Sequence, residues 1–250
     1  MSDSRVVIVT GAARGIGAVI AQRFVSDGAD VYAIDRAFPD GRAAGGATPL
    51  IADLTCTDEV TAAVDEILRR RGRIDVLVNN AGLNLTGPLD ETDLEAAERI
   101  FSVNVVAVLR MCQAVIPTMK TAHRGRIINA ASFAAINPAI GGGVYAASKS
   151  AVVQLTRTLA GELGPWDITA NAYAPGMVPT AMNGFADMSD EAQSALLDTL
   201  TLRRWGRPEE VADLVAYLAG DSAGYITGAL IDVSGGKLAT QAPWRAYEQA

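Results

Sequence analysis

The chain has 250 residues, half of them hydrophobic, which is enough to bury a sizeable core and fits a single α/β domain. Its 28 acidic residues outnumber 21 basic ones, and this balance disfavours a nucleic-acid partner. The two cysteines, Cys56 and Cys112, lack the spacing of a metal or redox motif. With neither a signal peptide nor an apolar run of about 18 residues, we expect a cytoplasmic protein that does not span a membrane.

Short runs rich in β-branched residues alternate with longer helical patterns along the chain. The runs predicted to form strands are residues 6–9, 31–34, 50–52, 74–78, 127–130, 168–172 and 230–233. Because these strands are apolar without strict alternation, a parallel sheet covered by helices on both faces is favoured. The sequence therefore predicts one domain with a doubly wound, seven-stranded α/β fold of the Rossmann type.

Helical patterns fill most connections between these strands. They cover residues 58–71, 95–122, 148–163 and 208–219. Two connections differ. Residues 36–49 contain Pro39 and several glycines, so little or no helix is expected there. Residues 177–207 form a long excursion with an amphipathic stretch near residues 190–200, and an excursion after the carboxyl end of a strand often covers a ligand.

A glycine-rich turn joins the first strand to the first helix. Gly11, Gly15 and Gly17 let the backbone approach a pyrophosphate, and the amino terminus of the helix supplies unpaired N–H donors and a positive dipole end. A glycine cluster alone is a weak signal, because tight turns use the same residues. Its position between a strand and a helix makes it a strong indication of a dinucleotide site.

Asp35 ends the second strand and bears on the choice between NAD and NADP. Its carboxylate is placed to accept hydrogen bonds from the adenosine ribose and to repel a 2′-phosphate. The cofactor is therefore predicted to be NAD. Arg14 and Arg36 keep NADP open, because either can pair with that phosphate, and Asp35 has the alternative role of capping a turn.

Tyr145 and Lys149 are four residues apart, so in a helix they share one face. A phenol needs a nearby positive charge to act as a base near pH 7. At about 5 Å and an effective dielectric of about 20, the attraction is about 3 kcal/mol, or roughly two pKa units. The pair therefore predicts a proton-transferring tyrosine with a lowered pKa, although this spacing alone is also common on helix surfaces.

The combination of these motifs resembles a known family. The residues that carry the resemblance are the glycine turn, Asn79, Asn80, Ala81 and Gly82 after the fourth strand, Ser132, Tyr145, Lys149, and the pair Pro175 and Gly176. Over essentially the whole chain, this pattern resembles the classical short-chain dehydrogenases/reductases. Ala131 departs from it, because a second serine is common at that position.

The resemblance implies four catalytic residues. Tyr145 is the expected general acid/base, and Lys149 is expected to hold the nicotinamide ribose and to lower the phenol pKa. Ser132 would hydrogen-bond the same substrate oxygen. Asn104 would hold a water in the proton relay to the lysine. The only histidine, His123, lies at a polar helix end, so no metal is expected in the mechanism.

The resemblance also implies the contacts of the cofactor. Asp53 and Leu54 would bind adenine, the run after the fourth strand would pass the adenosine ribose, and Val178 and Thr180 would lie near the nicotinamide. The full expected set is Gly11, Arg14, Gly15, Ile16, Gly17, Asp35, Arg36, Asp53, Leu54, Asn80, Ala81, Gly82, Tyr145, Lys149, Pro175, Gly176, Val178 and Thr180.

The implied function is NAD(H)-dependent interconversion of a secondary alcohol and a ketone. An NADP(H)-dependent 3-oxoacyl-thioester reductase and a catalytically inert nucleotide-sensing protein remain alternatives. The substrate pocket is expected to be small and mostly apolar, formed by Asn84, Ala134, Ala135, Ile136, Asn137, residues 141–144 and the methionines of the excursion. The long helices imply a homo-oligomer, a tetramer or a dimer. The tail, residues 237–250, is expected to pack on a neighbouring subunit or to close over a site.

Overall fold

The computed structural model describes residues 4–185 and 188–248, which contain one sheet of seven parallel strands. These are β1 (Val6–Thr10), β2 (Asp30–Asp35), β3 (Thr48–Ile51), β4 (Val76–Asn79), β5 (Gly125–Ala130), β6 (Ile168–Pro175) and β7 (Leu230–Val233). Their order is β3-β2-β1-β4-β5-β6-β7, so the strand order reverses between β1 and β4, which is the topological switch point of the sheet. In open α/β sheets, ligands bind at the carboxyl ends of the strands near such a reversal.

Helices cover both faces of this sheet. Those in the described ranges are α1 (Gly15–Ser26), α2 (Thr57–Arg71), α3 (Leu94–Phe101), α4 (Ala107–Ala122), α5 (Gly143–Leu163), α6 (Asp190–Leu197) and α7 (Pro208–Ala219). Apolar side chains of α2, α4 and α5 form a core on one face, and those of α1 and α7 form a core on the other. The predicted doubly wound fold is confirmed.

Helices α3 and α4 are joined by a π-helical turn at Ser102–Val106, so Leu94–Ala122 is one helical segment of 29 residues. By length and composition alone, this segment is long and apolar enough to cross a membrane. The expectation that no stretch reaches that limit is therefore wrong, because it counted unbroken apolar runs rather than a mean. Core helices pass the same test, and α4 buries a row of apolar side chains: Ala107, Val108, Met111, Cys112, Val115 and Met119.

Some element boundaries differ from the sequence prediction, including that of the helix that carries Tyr145 and Lys149. Helix α5 begins at Gly143 rather than at residue 148, so its first turns already contain Tyr145. Between β2 and β3 there is only a short 3-10 turn at Ala44–Gly46, as the glycines and Pro39 predicted. In the excursion, α6 starts at Asp190, where the Ser189 hydroxyl accepts a hydrogen bond from the Ala192 backbone N–H.

The tail packs on its own chain. Leu200, which follows α6 in the excursion, pairs with Lys237 in an antiparallel bridge, and the Tyr247 hydroxyl donates a 2.8 Å hydrogen bond to the Thr201 carbonyl oxygen. The excursion itself is closed by a stack of Phe185 on Trp205, with ring centroids 5.3 Å apart. The tail therefore braces the segment that follows β6, and residues 249 and 250 lie outside the described part of the chain.

Candidate active site

The carboxyl ends of the strands open into a cleft of about 850 Å³, within the roughly 300–1,000 Å³ typical of ligand sites. Every residue expected from the sequence to contact the cofactor lines this cleft, and so does Ser132. Parallel strands bring their carboxyl ends to one edge of a sheet, which is why residues far apart in sequence meet here.

The glycine turn leaves no room for side chains. Gly11 has a φ of 62°, and a Cβ at that position would lie 2.7 Å from the Cα of Ala81. A Cβ at Gly17 would lie 2.2 Å from the Gly11 carbonyl oxygen. At the start of α1, Arg14 provides no side-chain cap, so the N–H groups of the first turn are free to bind an anion. These features fit the pyrophosphate of a dinucleotide.

The Asn80 side chain holds the glycine turn against β4. Its Nδ2 donates 3.1 Å hydrogen bonds to the carbonyl oxygens of both Thr10 and Gly11. In return, the Thr10 hydroxyl oxygen accepts from the backbone N–H groups of Asn80 and Ala81. The turn and the run after β4 therefore form one hydrogen-bonded unit.

Two carboxylates, those of Asp35 and Asp53, lie at the end of the cleft where the sequence predicted the adenosine to bind. Asp35 accepts hydrogen bonds from the backbone N–H groups of Ala13, at 3.0 Å, and Arg36, at 2.8 Å. Asp53 accepts from the hydroxyl and the backbone N–H of Thr55, and these bonds lower the pKa of Asp53. The charge of Arg36 lowers it further. Both carboxylates are thus held in place by local hydrogen bonds.

Tyr145 and Lys149 lie on one face of α5 at the other end of the cleft, with the Lys149 Nζ 5.9 Å from the centre of the Tyr145 ring. Nζ donates a 2.7 Å hydrogen bond to the carbonyl oxygen of Ala130, at the end of β5. Burial lowers the pKa of Lys149 to about 8. The ammonium is therefore retained at neutral pH in a place that is costly for a charge.

The pKa of Tyr145 moves in the direction opposite to the one expected. Burial raises it, and hydrogen bonding with Ser132 opposes that rise only in part. The expectation that Lys149 lowers the pKa of Tyr145 is therefore wrong for the protein without bound ligands. Removing the phenolate from water has a cost that the attraction between phenolate and ammonium does not include, and this cost depends on burial, which the spacing of two residues in a sequence does not show.

Asn104 lies in the π-helical turn, fully buried behind the cleft rather than on its lining. Its Nδ2 donates to the Leu83 carbonyl oxygen at 2.9 Å and to the Ser148 hydroxyl at 3.0 Å, while its Oδ1 accepts from the Leu83 N–H. A Cβ on Gly82 would lie 3.3 Å from both the Asn104 Oδ1 and the Lys149 Nζ. The structure thus brings Asn104 next to the lysine, and its role in holding a water stays a prediction.

The predicted substrate wall is only partly found in the cleft. Asn84 and Met182 line it, but Ala134, Ala135, Ile136, Asn137 and residues 141–144 do not. After Ser132 the chain turns away in a 3-10 turn, Phe133–Ala135, which the Ser132 hydroxyl caps by accepting from the Ala134 N–H. Farther on, Gly141 accepts a 2.8 Å hydrogen bond from the Gly87 N–H, so this loop pairs with the segment before α3.

Several lining residues were not predicted from the sequence. They are Ala52, Thr55, Leu83, Glu95, Glu98, Arg99, Ser102, Val103, Ala130, Ala131, Tyr173, Ala181 and Asn183. Those next to a strand end could have been found from their position, because the neighbouring residues were already assigned. The residues of α3 carry no such signal, since only the tertiary fold brings that helix to the cleft.

A glycine-turn cleft with a tyrosine and a buried lysine at its far end defines a dinucleotide-binding protein of the Rossmann class. Comparison with known proteins agrees with this. The family model described as enoyl-(acyl carrier protein) reductase matches residues 11–237. The chain is 34% identical over 242 residues to the 3-oxoacyl-[acyl-carrier-protein] reductase FabG of Thermotoga maritima, covering 94% of this chain and 98% of that protein.

Two further relatives widen the range of activities. The cyclopentanol dehydrogenase of Comamonas testosteroni is 36% identical over 242 residues, covering 94% of this chain and 97% of that protein. Among solved structures, a blue fluorescent protein from a metagenomic library in complex with NADPH superimposes with a TM-score of 0.82 at 38% identity, covering 94% of this chain and 98% of that one.

The chain therefore belongs to the classical short-chain dehydrogenase/reductase family. As a member, it is an oxidoreductase that binds a nicotinamide dinucleotide and acts on a small molecule.

Proposed function

We propose that the protein is an NAD(H)-dependent oxidoreductase that interconverts a secondary alcohol and a ketone, with Tyr145 as the general acid/base. The observation that carries this proposal is the buried Lys149 ammonium beside Tyr145, on the lining of the dinucleotide cleft. Strongly perturbed titratable groups in a cleft are typical of catalytic sites. Asp35, which also lines the cleft, supports NAD as the cofactor.

A bound nicotinamide supplies the exchange of hydride with the substrate carbon. The protein manages the proton. In the direction of reduction, the Tyr145 hydroxyl donates its proton to the carbonyl oxygen of the ketone. In oxidation, the Tyr145 phenolate takes the proton of the alcohol and becomes the hydroxyl again. The Ser132 hydroxyl binds the same oxygen, and the Lys149 ammonium stabilises the phenolate that forms when the proton leaves.

The preference for NAD rests on the position of the Asp35 carboxylate. Backbone N–H groups of Ala13 and Arg36 fix it at the end of β2, where a 2′-phosphate would meet a negative charge. Titration of NADH and NADPH, followed by the fluorescence of the reduced nicotinamide, tests this. We expect NADH to bind at least tenfold more tightly. Equal or tighter binding of NADPH would contradict the proposed cofactor.

An NADP(H)-dependent 3-oxoacyl-thioester reductase is the second candidate. Its support is the named activity of the Thermotoga maritima relative, the NADPH bound by the metagenomic blue fluorescent protein, and two guanidinium groups, Arg14 and Arg36, on the cleft lining. Assay of a 3-oxoacyl thioester beside simple ketones, each with NADH and NADPH, separates the two candidates. Turnover of the thioester with NADPH alone would favour the reductase.

A catalytically inert nucleotide sensor is the third candidate. A sensor needs the glycine turn but has no use for a buried ammonium beside a phenol, so the Tyr145 and Lys149 pair argues against it. A panel of small secondary alcohols with NAD and ketones with NADH, followed at the nicotinamide absorbance band, decides the matter. Any cofactor-dependent turnover excludes the sensor.

In the proposed oxidoreductase, the excursion of residues 177–207 covers the substrate, because Ala181 and Met182 line the cleft.

A further inference from the structure

Tyr173 in β6 is a second tyrosine on the lining of the cleft, and the proposed chemistry does not use it. It is fully buried, and its hydroxyl donates a 3.1 Å hydrogen bond to the Oδ1 of Asn80. A phenylalanine would fill the same space in this core. The hydroxyl therefore has a purpose other than packing.

The bond from Tyr173 fixes which way the Asn80 amide faces. Both N–H bonds of that amide go to carbonyl oxygens of the glycine turn, those of Thr10 and Gly11. The Oδ1 is left to accept, and within residues 4–185 and 188–248 Tyr173 is the side chain that donates to it. Without that donor, the Oδ1 loses its partner, and only the two N–H bonds to the glycine turn still hold the amide.

Asn80 is also packed against the start of α1. A Cβ on Gly17 would lie 2.4 Å from the Asn80 Nδ2 and 2.2 Å from the Gly11 carbonyl oxygen, so the three residues are in close contact. A rotation of the Asn80 amide would therefore release the Gly11 carbonyl and loosen the first turn of α1. That turn carries the free N–H groups suited to a pyrophosphate.

We infer that Tyr173 is a positioning residue for the pyrophosphate of the dinucleotide, acting through the Asn80 amide on the glycine turn. This role of Tyr173 rests on the dinucleotide site that the proposed function uses, and it is the same for NAD and NADP. The expected ligand is any compound with an adenosine diphosphate group. Adenosine without phosphates lacks the group that this turn receives, so its binding is independent of Tyr173.

The test compares Tyr173→Phe with Tyr32→Phe. Tyr32 is a matched control, because it is also buried in the core of a strand, its hydroxyl has one hydrogen bond, accepted from Arg71, and it does not line the cleft. Dissociation constants for ADP-ribose, NADH and adenosine are measured by titration calorimetry or by displacement of NADH, below the unfolding temperature of every variant. No substrate turnover is needed.

We expect Tyr173→Phe to weaken ADP-ribose and NADH by about fivefold, with adenosine unchanged within about twofold, and Tyr32→Phe to leave all three unchanged. In the double variant with Asn80→Ala, loss of the tyrosine hydroxyl is expected to weaken ADP-ribose and NADH no further than Asn80→Ala alone, because Tyr173 acts through the Asn80 amide. Unchanged ADP-ribose affinity in Tyr173→Phe, equal loss for adenosine, or additive losses in the double variant would overturn this inference alone. If the wild-type protein binds neither NADH nor ADP-ribose, the proposed function fails with it.

Discussion

The Asn104 amide donates a hydrogen bond of 3.0 Å to the hydroxyl of Ser148, the residue directly before Lys149 on α5. Ser148 in turn donates to the backbone carbonyl oxygen of Tyr145 at 2.7 Å. The π-helical turn between α3 and α4 is thus tied to the helix that carries Tyr145 and Lys149. Such turns occur often at functional sites, because the extra residue redirects a side chain.

Ser148→Ala tests this link. One buried N–H of Asn104 loses its acceptor, so we expect the free energy of unfolding to fall by about 1–3 kcal/mol and turnover to fall several-fold, while Tyr145 and Lys149 are retained. Denaturant unfolding and steady-state kinetics measure the two effects. Ser150→Ala, on the same helix, is the control. Equal free energies of unfolding and equal turnover in the two variants would show that the hydrogen bond between Asn104 and Ser148 contributes to neither.

The pH dependence of stability tests the burial of Lys149. Since its pKa is lowered to about 8, the unfolded chain binds more protons than the folded chain between about pH 8 and pH 10.5. Stability from this group therefore rises with pH across that window, and its full cost is present below pH 8. Lys149→Met removes the cost. At pH 7 the variant is therefore expected to be more stable than the wild type by on the order of 1–3 kcal/mol, and at pH 10 this difference in stability is expected to be smaller.

Urea unfolding at the two pH values, followed by tryptophan fluorescence, measures this difference. Lys120→Met, which removes a lysine from α4 away from the cleft, controls for the loss of one positive charge. A Lys149→Met protein that is less stable than the wild type by the same amount at pH 7 and pH 10 would contradict the burial argument.

Asp35→Ala tests the choice of cofactor. Removing the carboxylate takes away the repulsion of a 2′-phosphate and a partner of the ribose hydroxyls, so the ratio of NADPH to NADH dissociation constants is expected to fall by about tenfold. Fluorescence titration measures both constants. Asp40→Ala changes an exposed residue in the connection between β2 and β3, and it should leave the ratio unchanged. An unchanged ratio in Asp35→Ala would assign the discrimination to another residue.

The fold and most of the cleft follow from local patterns in the sequence. Apolar runs predict the strands, and a parallel sheet necessarily gathers the residues at their carboxyl ends, such as Asp35, Asn80 and Pro175. What the sequence could not supply depends on tertiary packing. The direction of the Tyr145 pKa shift is set by burial, and the hydrogen bonds of Ser148 and Tyr173 join elements that are far apart in the chain.

The substrate wall shows the same limit. Ile136 follows Ser132 closely in sequence, yet it is half exposed and outside the cleft, because the 3-10 turn after Ser132 directs the chain outward. Arg99, by contrast, lies on the cleft because of how α3 packs. Proximity in sequence predicted contacts well at strand ends, where direction is fixed, and poorly in loops, where it is not.

Exposed apolar residues on α3, the π-helical turn and α4 support the proposed homo-oligomer. Phe101, Val106 and Leu109 are 38%, 45% and 37% exposed on neighbouring turns. We expect light scattering to show a dimer or tetramer, and Val106→Glu to shift it toward smaller species, because burial of a charge in an apolar interface is costly. Tyr225→Glu, at a fully exposed site elsewhere, serves as the control. A monomeric wild-type protein would contradict the proposal.

Proton transfer by Tyr145 is the central claim, and Tyr145→Phe tests it most directly. The change removes one hydroxyl and keeps the ring, so NADH affinity should stay within a few-fold while turnover of the best alcohol or ketone falls by at least about a thousandfold. Tyr217→Phe, an exposed tyrosine on α7, should behave as the wild type in both measurements. Turnover in Tyr145→Phe within tenfold of the wild type, with NADH still bound, would contradict the account.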